Sequence, residues 1–183
     1  MPEDRRETYY HTRVREAGPG YKGFDLPSVE MTLSFLYTYD VVLQVLGRFM
    51  SEYGLSKSTV NILMLLRHGP SKGMQLHEIG ELLLVSRANV TGLIDHLEEK
   101  GYVKRVVDEQ DRRARYARIT PKGEALLDEF VPVHYGRMKA LFQDLSGEDK
   151  QEILNLLKKI RNSVHAHAAE CDAQGSIACP SVD

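Results

Sequence analysis

The stretch from Leu82 to Lys122, LLLVSRANVTGLIDHLEEKGYVKRVVDEQDRRARYARITPK, constrains this chain more than any other part: a short helix with one apolar face runs into a basic hairpin. Val90, Leu93, Ile94 and Leu97 recur at helical spacing, so one face of the segment is fixed against a core. Ala88, Thr91, Gly92 and Asp95 are therefore expected to face outward. Two of these four have almost no side chain, which lets the backbone come close to another molecule, as a helix entering the major groove must. Just upstream, Leu76, Ile79, Leu82 and Leu83 supply a second short amphipathic helix. Leu84, Val85 and Ser86 leave room only for a tight connection, and two helices so linked read as a helix-turn-helix.

Ser86 stands where an N-cap belongs, its hydroxyl available to a helix amide or a phosphate. Arg87 and Asn89 project from the first turn, and both types read base edges, Arg to guanine and Asn to adenine. The plainer alternative is that Ser86 only caps and Arg87 only pairs with a carboxylate. After Gly101, placed as a helix-ending glycine, Tyr102–Val107 and Arg115–Ile119 are rich in β-branched and aromatic residues and flank the polar run DEQDRRA, a hairpin with a charged tip. From Lys100 to Arg118 seven basic residues (Lys100, Lys104, Arg105, Arg112, Arg113, Arg115, Arg118) face three acidic ones (Asp108, Glu109, Asp111), a local balance of plus four in a chain of net charge −2. Positive charge is thus concentrated on the hairpin, as a nucleic-acid footprint requires. Taken alone, the hairpin also fits a merely solvated loop.

The run Asp111-Arg112-Arg113, followed by Ile119-Thr120 and Gly123, resembles the wing signature of the MarR family of winged-helix transcription regulators, and SRANVTGLIDHLEEKGYVKR resembles that family's recognition helix and first wing strand. The resemblance is dense from about Leu55 to Gly123. It implies that Arg113 is the wing-tip side chain for the minor groove, beside Arg112, with Asp111 orienting it. Ser86, Arg87, Ala88, Asn89 and Thr91 would face the major groove. It further implies that the outer helices intertwine with a second subunit, and that a small aromatic acid or phenol binds between those helices and the DNA-binding lobe. Candidates for such a pocket are Tyr37, Tyr53, His68 and Arg87, the last answering a ligand carboxylate instead of a base; His68 equally suits a helix C-terminus on dipole grounds. Ile119 stands where the family usually has Leu, and the N-terminus is extended by nearly thirty residues.

The fold class expected is mainly α (α+β): a winged helix-turn-helix with a two-stranded wing and long N- and C-terminal dimerisation helices. After Pro27 and Ser28, Leu36, Tyr39, Leu43, Leu46, Met50 and Tyr53 step by three and four, widened by Phe35, Val42 and Phe49. Thr120 and Pro121 supply an N-cap and first-turn pair for a helix reaching about Leu145, with Pro132 inside it. Ser146 through Asp149 restarts a helix with Ile153, Leu156, Leu157, Ile160 and Val164 on one side. A chain of 183 residues has too little core to cover all three stripes, which favours a homodimer. The segments are thus a 1–27 N-terminal extension, 28–55 dimerisation helix, 56–120 DNA-binding domain, 121–168 dimerisation helices and 169–183 flexible tail.

The extension lacks clear periodicity and is read either as frayed or as packing on the partner subunit. Cys171 and Cys179 both lie in the tail, and none stands in 28–53, where some relatives of the family carry a peroxide-sensing thiol. His165, His167 and Cys171 lack a further ligand at zinc-site spacing, so no metal or cofactor is expected. Without a phosphate-cradling glycine loop, nucleophile elbow or spaced carboxylate pair, an enzyme is not expected either. No run of eighteen apolar residues or signal peptide is present, which places the protein in the cytoplasm, away from membranes. The function expected is sequence-specific binding of double-stranded DNA at a pseudo-palindromic operator by a homodimer, a repressor released by a small aromatic or phenolic ligand. The alternatives are a ligand-independent or architectural DNA-binding protein, and a winged-helix protein-interaction module.

Overall fold

A computed structural model describes residues 4–107 and 115–173, the side chains of Arg87, Arg115 and residues 171–173 excepted. In chain order the elements are α1 (Arg5–Ala17), a 3-10 turn (Gly18–Gly20), α2 (Leu26–Glu52), α3 (Lys57–His68), β1 (Met74–Gln75), α4 (Leu76–Leu83), α5 (Arg87–Glu99), β2 (Val103–Val107), β3 (Arg115–Ile119), α6 (Pro121–Leu141) and α7 (Gly147–Ala173). The chain is mainly helical with one small sheet, the winged-helix architecture expected. It divides into two compact units, one comprising residues up to Thr38 and from Ala140 onward, the other Tyr39–Lys139.

The Tyr39–Lys139 unit holds the core. Ile62 and Leu63 of α3, Ile79 of α4, Val90, Ile94 and Leu97 of α5, Ala117 of β3, and Leu127 and Phe130 of α6 are fully buried together. Each helix begins where a side chain satisfies its free amides. Ser56 Oγ accepts from Thr59 N, Glu78 accepts from Gln75 N at 2.7 Å, and Thr120 Oγ1 accepts from Gly123 N at 3.1 Å. Gly123 is required for a packing reason: a Cβ there would stand 2.3 Å from the Tyr102 carbonyl oxygen, so only glycine lets α6 start against the β2 entry. The wing differs from expectation. Its sheet has three strands in the order β1-β3-β2, all antiparallel, because Met74 and Gln75 pair with Ala117 and Tyr116. Leu82, read as part of the packed face of α4, is instead exposed, and only Ile79 and Gly80 of that helix are buried.

In the other unit, α1 folds where no apolar period announced it. Asp4 caps it, accepting from Arg6 N at 2.9 Å and Glu7 N at 3.3 Å, and none of its residues is buried. Polar contacts tie it to the first half of α2: Arg15 donates to Glu30 at 2.7 Å, His11 lies 3.4 Å from the same carboxylate, and Tyr37 donates to Asp4. In place of a structureless extension, then, stands a helix held by charge. α7 starts at a Ser146 cap (Asp149 N to Ser146 Oγ, 3.0 Å) and continues to Ala173, past the boundary drawn at 168, while α6 stops at Leu141 rather than Leu145. The apolar stripe of α7 is largely uncovered: Ile153, Leu156 and Val164 are 42–60% exposed, and Leu157 and Ile160 are half-buried. Among the described residues no helix is long and apolar enough to cross a membrane.

Candidate nucleic-acid interface

α5 carries out the separation of faces that its spacing demands. Val90, Ile94 and Leu97 have no exposure at all, whereas Ala88, Asn89, Thr91, Gly92 and Asp95 are exposed. Gly92 confirms the open front from the other direction: a Cβ built on it meets nothing within 4 Å. Nothing in the fold needs that glycine, and in a helix interior glycine costs about 0.5–1 kcal/mol relative to alanine. A backbone left bare at that cost is suited to close approach by a partner.

The start of α5 is set by a tight turn. α4 ends at Leu84, whose φ of 53° is left-handed, and Val85 N returns to the Gly80 carbonyl at 3.1 Å. That conformation normally falls to glycine, and the leucine side chain so turned is 90% exposed. Ser86 then caps α5, its Oγ accepting from Asn89 N at 3.3 Å. The capping role and the outward position coexist, since Ser86 is itself exposed. Arg87 occupies the first helical position; its side chain, and the wing tip with Asp111, Arg112 and Arg113, lie outside the described residues.

At the other end of α5, Gly101 at φ 76° closes the helix, with its N–H on the Glu98 carbonyl and the Tyr102 N–H on that of Leu97. The basic residues counted on the hairpin then part company. Arg105 is taken by the protein itself: its guanidinium pairs with Asp95 and Glu98 one helical turn apart, and its N–H donates to Glu98 at 2.8 Å. Burial works against its charge, but the two carboxylates outweigh that and hold it firmly protonated. Lys100 reaches back to the Gly54 carbonyl at 2.9 Å. Lys104 and Arg118 stay outward, directly opposite each other across β2 and β3. Among the described residues the free positive charge of the hairpin is therefore narrower than the sequence count, with Lys104 and Arg118 on one face of the sheet.

Of the four candidate ligand residues, the side chain of Arg87 lies outside the described residues, and the other three fall in both units. Tyr37 belongs to the α1-bearing unit, where its hydroxyl is already given to Asp4 and Arg6 lies over its ring at 4.9 Å. Tyr53 stands edge-on to Phe49 and Phe130, both at 5.3 Å, as part of an aromatic cluster. His68 ends α3 and, with Met64, lines two cavities: one of about 510 Å³ bounded by Asn61, Met74 and Leu83, another of about 280 Å³ bounded by Leu127, Val131 and Tyr135. Tyr53 lines neither. Beside His68, Arg67 pairs with Glu124 at 3.4 Å and Asp128 at 2.5 Å, so its charge is spent within the fold. Among the described residues no group of three or more His, Cys, Asp or Glu could hold a metal ion. Sequence reasoning missed Lys72, whose Nζ lies 5.1 Å from the Tyr116 ring centre; a lone lysine in a loop carries no signal of what it covers.

Comparison with known proteins agrees with this geometry. The family model described as "MarR family" matches residues 53–114. YkoM of Bacillus subtilis (strain 168), an uncharacterized HTH-type transcriptional regulator, is 38% identical over 109 residues, covering 59% of this chain and 69% of its own. YetL of the same organism, an HTH-type transcriptional repressor, is 28% identical over 147 residues, covering 80% of this chain and 88% of its own. Among solved structures, Sco3205, a MarR family transcriptional regulator from Streptomyces coelicolor in complex with DNA, shares the fold with a TM-score of 0.68 at 19% identity, over 73% of this chain and 88% of that one.

Proposed function

The chain belongs to the MarR family of DNA-binding transcription regulators, and on that footing we propose that it binds a pseudo-palindromic operator as a homodimer and represses transcription until a small aromatic or phenolic ligand releases it. The observation that carries the DNA-binding part is the bare front of α5, where Ala88 and Gly92 leave the backbone open beside Asn89 and Thr91. Ser86, Arg87, Ala88, Asn89 and Thr91 read the major groove, and Arg113, with Arg112 beside it and Asp111 orienting it, enters the minor groove. The largely uncovered stripe of α7 supports a second copy: exposed Ile153, Leu156 and Val164, with half-buried Leu157 and Ile160 between them, form an apolar seam of the kind a two-fold dimer buries. Repression is the action named for YetL.

The effector part rests on the larger cavity at His68, whose walls are mostly apolar with Asn61 and His68 as the polar points, a lining suited to a flat ring bearing one polar group. A ligand acts only through its differential affinity for the two lobe separations. Selection of bound duplexes from a random pool tests the reading: recovery of a two-fold sequence whose half-sites lie about 10 base pairs apart supports it. Recovery of no preferred sequence would point to the architectural alternative, and no duplex binding at all to a protein-interaction module. Adding phenolic acids to the selected complex tests release.

A further inference from the structure

Leu84 combines two unfavourable features at one position. At φ 53° and ψ 43° it is the one non-glycine residue with a positive φ among the described residues. A Cβ makes that left-handed conformation costly, whereas glycine enters it freely. The leucine side chain gains nothing from the fold in return, since it is 90% exposed, more than any other large apolar residue described. The turn itself has no use for it: Leu84 N donates to the Glu81 carbonyl at 3.3 Å and Val85 N to the Gly80 carbonyl at 3.1 Å, backbone bonds that a glycine would make equally well. A backbone outlier kept under these conditions points to a contact outside the chain.

The surroundings of Leu84 narrow that contact. Val85 is half-buried against the core and pins the turn, while Leu84 and Ser86 on either side of it are exposed. Ser86 caps α5 and opens its bare front, with Ala88 and Asn89 exposed in the first turn. Leu84 thus stands at the rim of the surface that α5 offers to the major groove, two residues ahead of the cap. Leu82, the neighbouring exposed leucine, lines the larger cavity at His68 and so has a separate use; Leu84 lines neither cavity there. The apolar group that the major groove presents to an aliphatic side chain is the 5-methyl of thymine. The other base edges present hydrogen-bond donors and acceptors, which leucine cannot answer.

We propose that Leu84 is a specificity-determining residue that packs on the 5-methyl group of a thymine flanking the base pairs read by the first turn of α5. It rests on the DNA-binding reading above and adds a base preference to it.

The test uses the full-length chain and the duplex recovered by selection, with each thymine replaced in turn by uracil, which differs only in lacking the methyl group. One flanking thymine in each half-site is expected to stand out, its replacement weakening wild-type binding about four-fold per half-site, the factor that withdrawing one methyl-sized group from water supplies. Leu84→Gly is expected to bind the thymine and uracil duplexes alike, and Leu84→Met to keep the difference. Because glycine suits the left-handed turn, Leu84→Gly should unfold at the same or a higher temperature, which separates a lost contact from a damaged fold. A thymine–uracil difference that survives Leu84→Gly belongs to another side chain, such as Ala88, and overturns the inference. So does a wild type indifferent to uracil at every position, or a selected sequence with no flanking thymine, while the α5 interface stands. Failure of the wild-type chain to bind any duplex overturns the underlying reading instead.

Discussion

α5 and α7 carry the same kind of sequence signal and meet opposite fates. In α5 the apolar stripe of Val90, Ile94 and Leu97 disappears completely into the Tyr39–Lys139 core, while its small polar front is left in the open. In α7 the stripe of Ile153, Leu156 and Val164 is itself in the open, roughly half exposed or more. Helical period states that a face is apolar; it does not state who covers it. The difference separates an apolar face that one copy of this chain covers by itself from one that it leaves largely uncovered.

The sharpest way to break that contrast is to injure both helices and compare. Ile94→Ala is expected to cost about 2–5 kcal/mol of folding stability, because it opens a cavity among fully buried neighbours, and urea unfolding should report that loss equally at every protein concentration. Ile153→Glu with Leu156→Glu should behave otherwise. Sedimentation is expected to show monomers, and duplex affinity should fall about 100-fold or more as the two half-sites cease to be gripped together. If that variant sediments as the wild type does, α7 is not the dimer seam.

These outcomes bear on how much was legible beforehand. The two faces of α5 could be read because its burial partners are ordinary apolar residues within the same unit, and the helix starts at Ser86, Thr120 and Ser146 could be read because each precedes its helix by a fixed offset. α1 could not, since Asp4, His11 and Arg15 fasten it to Tyr37 and Glu30 through charge and hydrogen bonds that leave no apolar rhythm. β1 escaped for a different reason: two residues, Met74 and Gln75, are too few to alternate. Charge counting along the hairpin overstated its free positive charge, because Arg105 meets Asp95 and Glu98, ten and seven residues away, only once α5 and β2 are packed.

Within α5 itself, two substitutions sharpen the division between recognition and packing. Asn89→Ala should cost about 1–3 kcal/mol of operator binding and relax the preference at one base pair, read by repeating the selection with the variant. Gly92→Ala is expected to move two quantities in opposite directions. The fold should gain about 0.5–1 kcal/mol, since the added Cβ meets open space, while duplex affinity should drop because the same Cβ now stands between backbone and groove. A gain in stability with undiminished DNA binding would mean that the bare front of α5 faces nothing.

The smallest effect expected belongs to the aromatic cluster that joins α2 to α6 inside the Tyr39–Lys139 unit. His134 stacks on Phe130 at 4.9 Å and lies parallel to Phe49 at 6.0 Å, and its Nδ1 is buried without a hydrogen-bond partner among the described residues. Burial pushes its pKa below the ordinary 6.5, because the charged ring loses water and gains no carboxylate in return. The sign follows from which state binds the proton more readily. The unfolded chain takes it up first as pH falls through about 6.5, so the contribution of the neutral ring is complete above that value and declines below it. The depressed carboxylates of Asp4, Glu30 and Asp149 lose their contributions only at more acidic pH, through the usual carboxylate range and below. Chemical unfolding at pH 7.5 and again near pH 5.5, values chosen on either side of that pKa, should therefore show a decline in the wild type that His134→Phe reduces. At the higher pH the phenylalanine chain should be at least as stable, since the substitution removes a buried nitrogen that nothing satisfies. An equal decline in both chains would assign the pH response to groups outside this cluster.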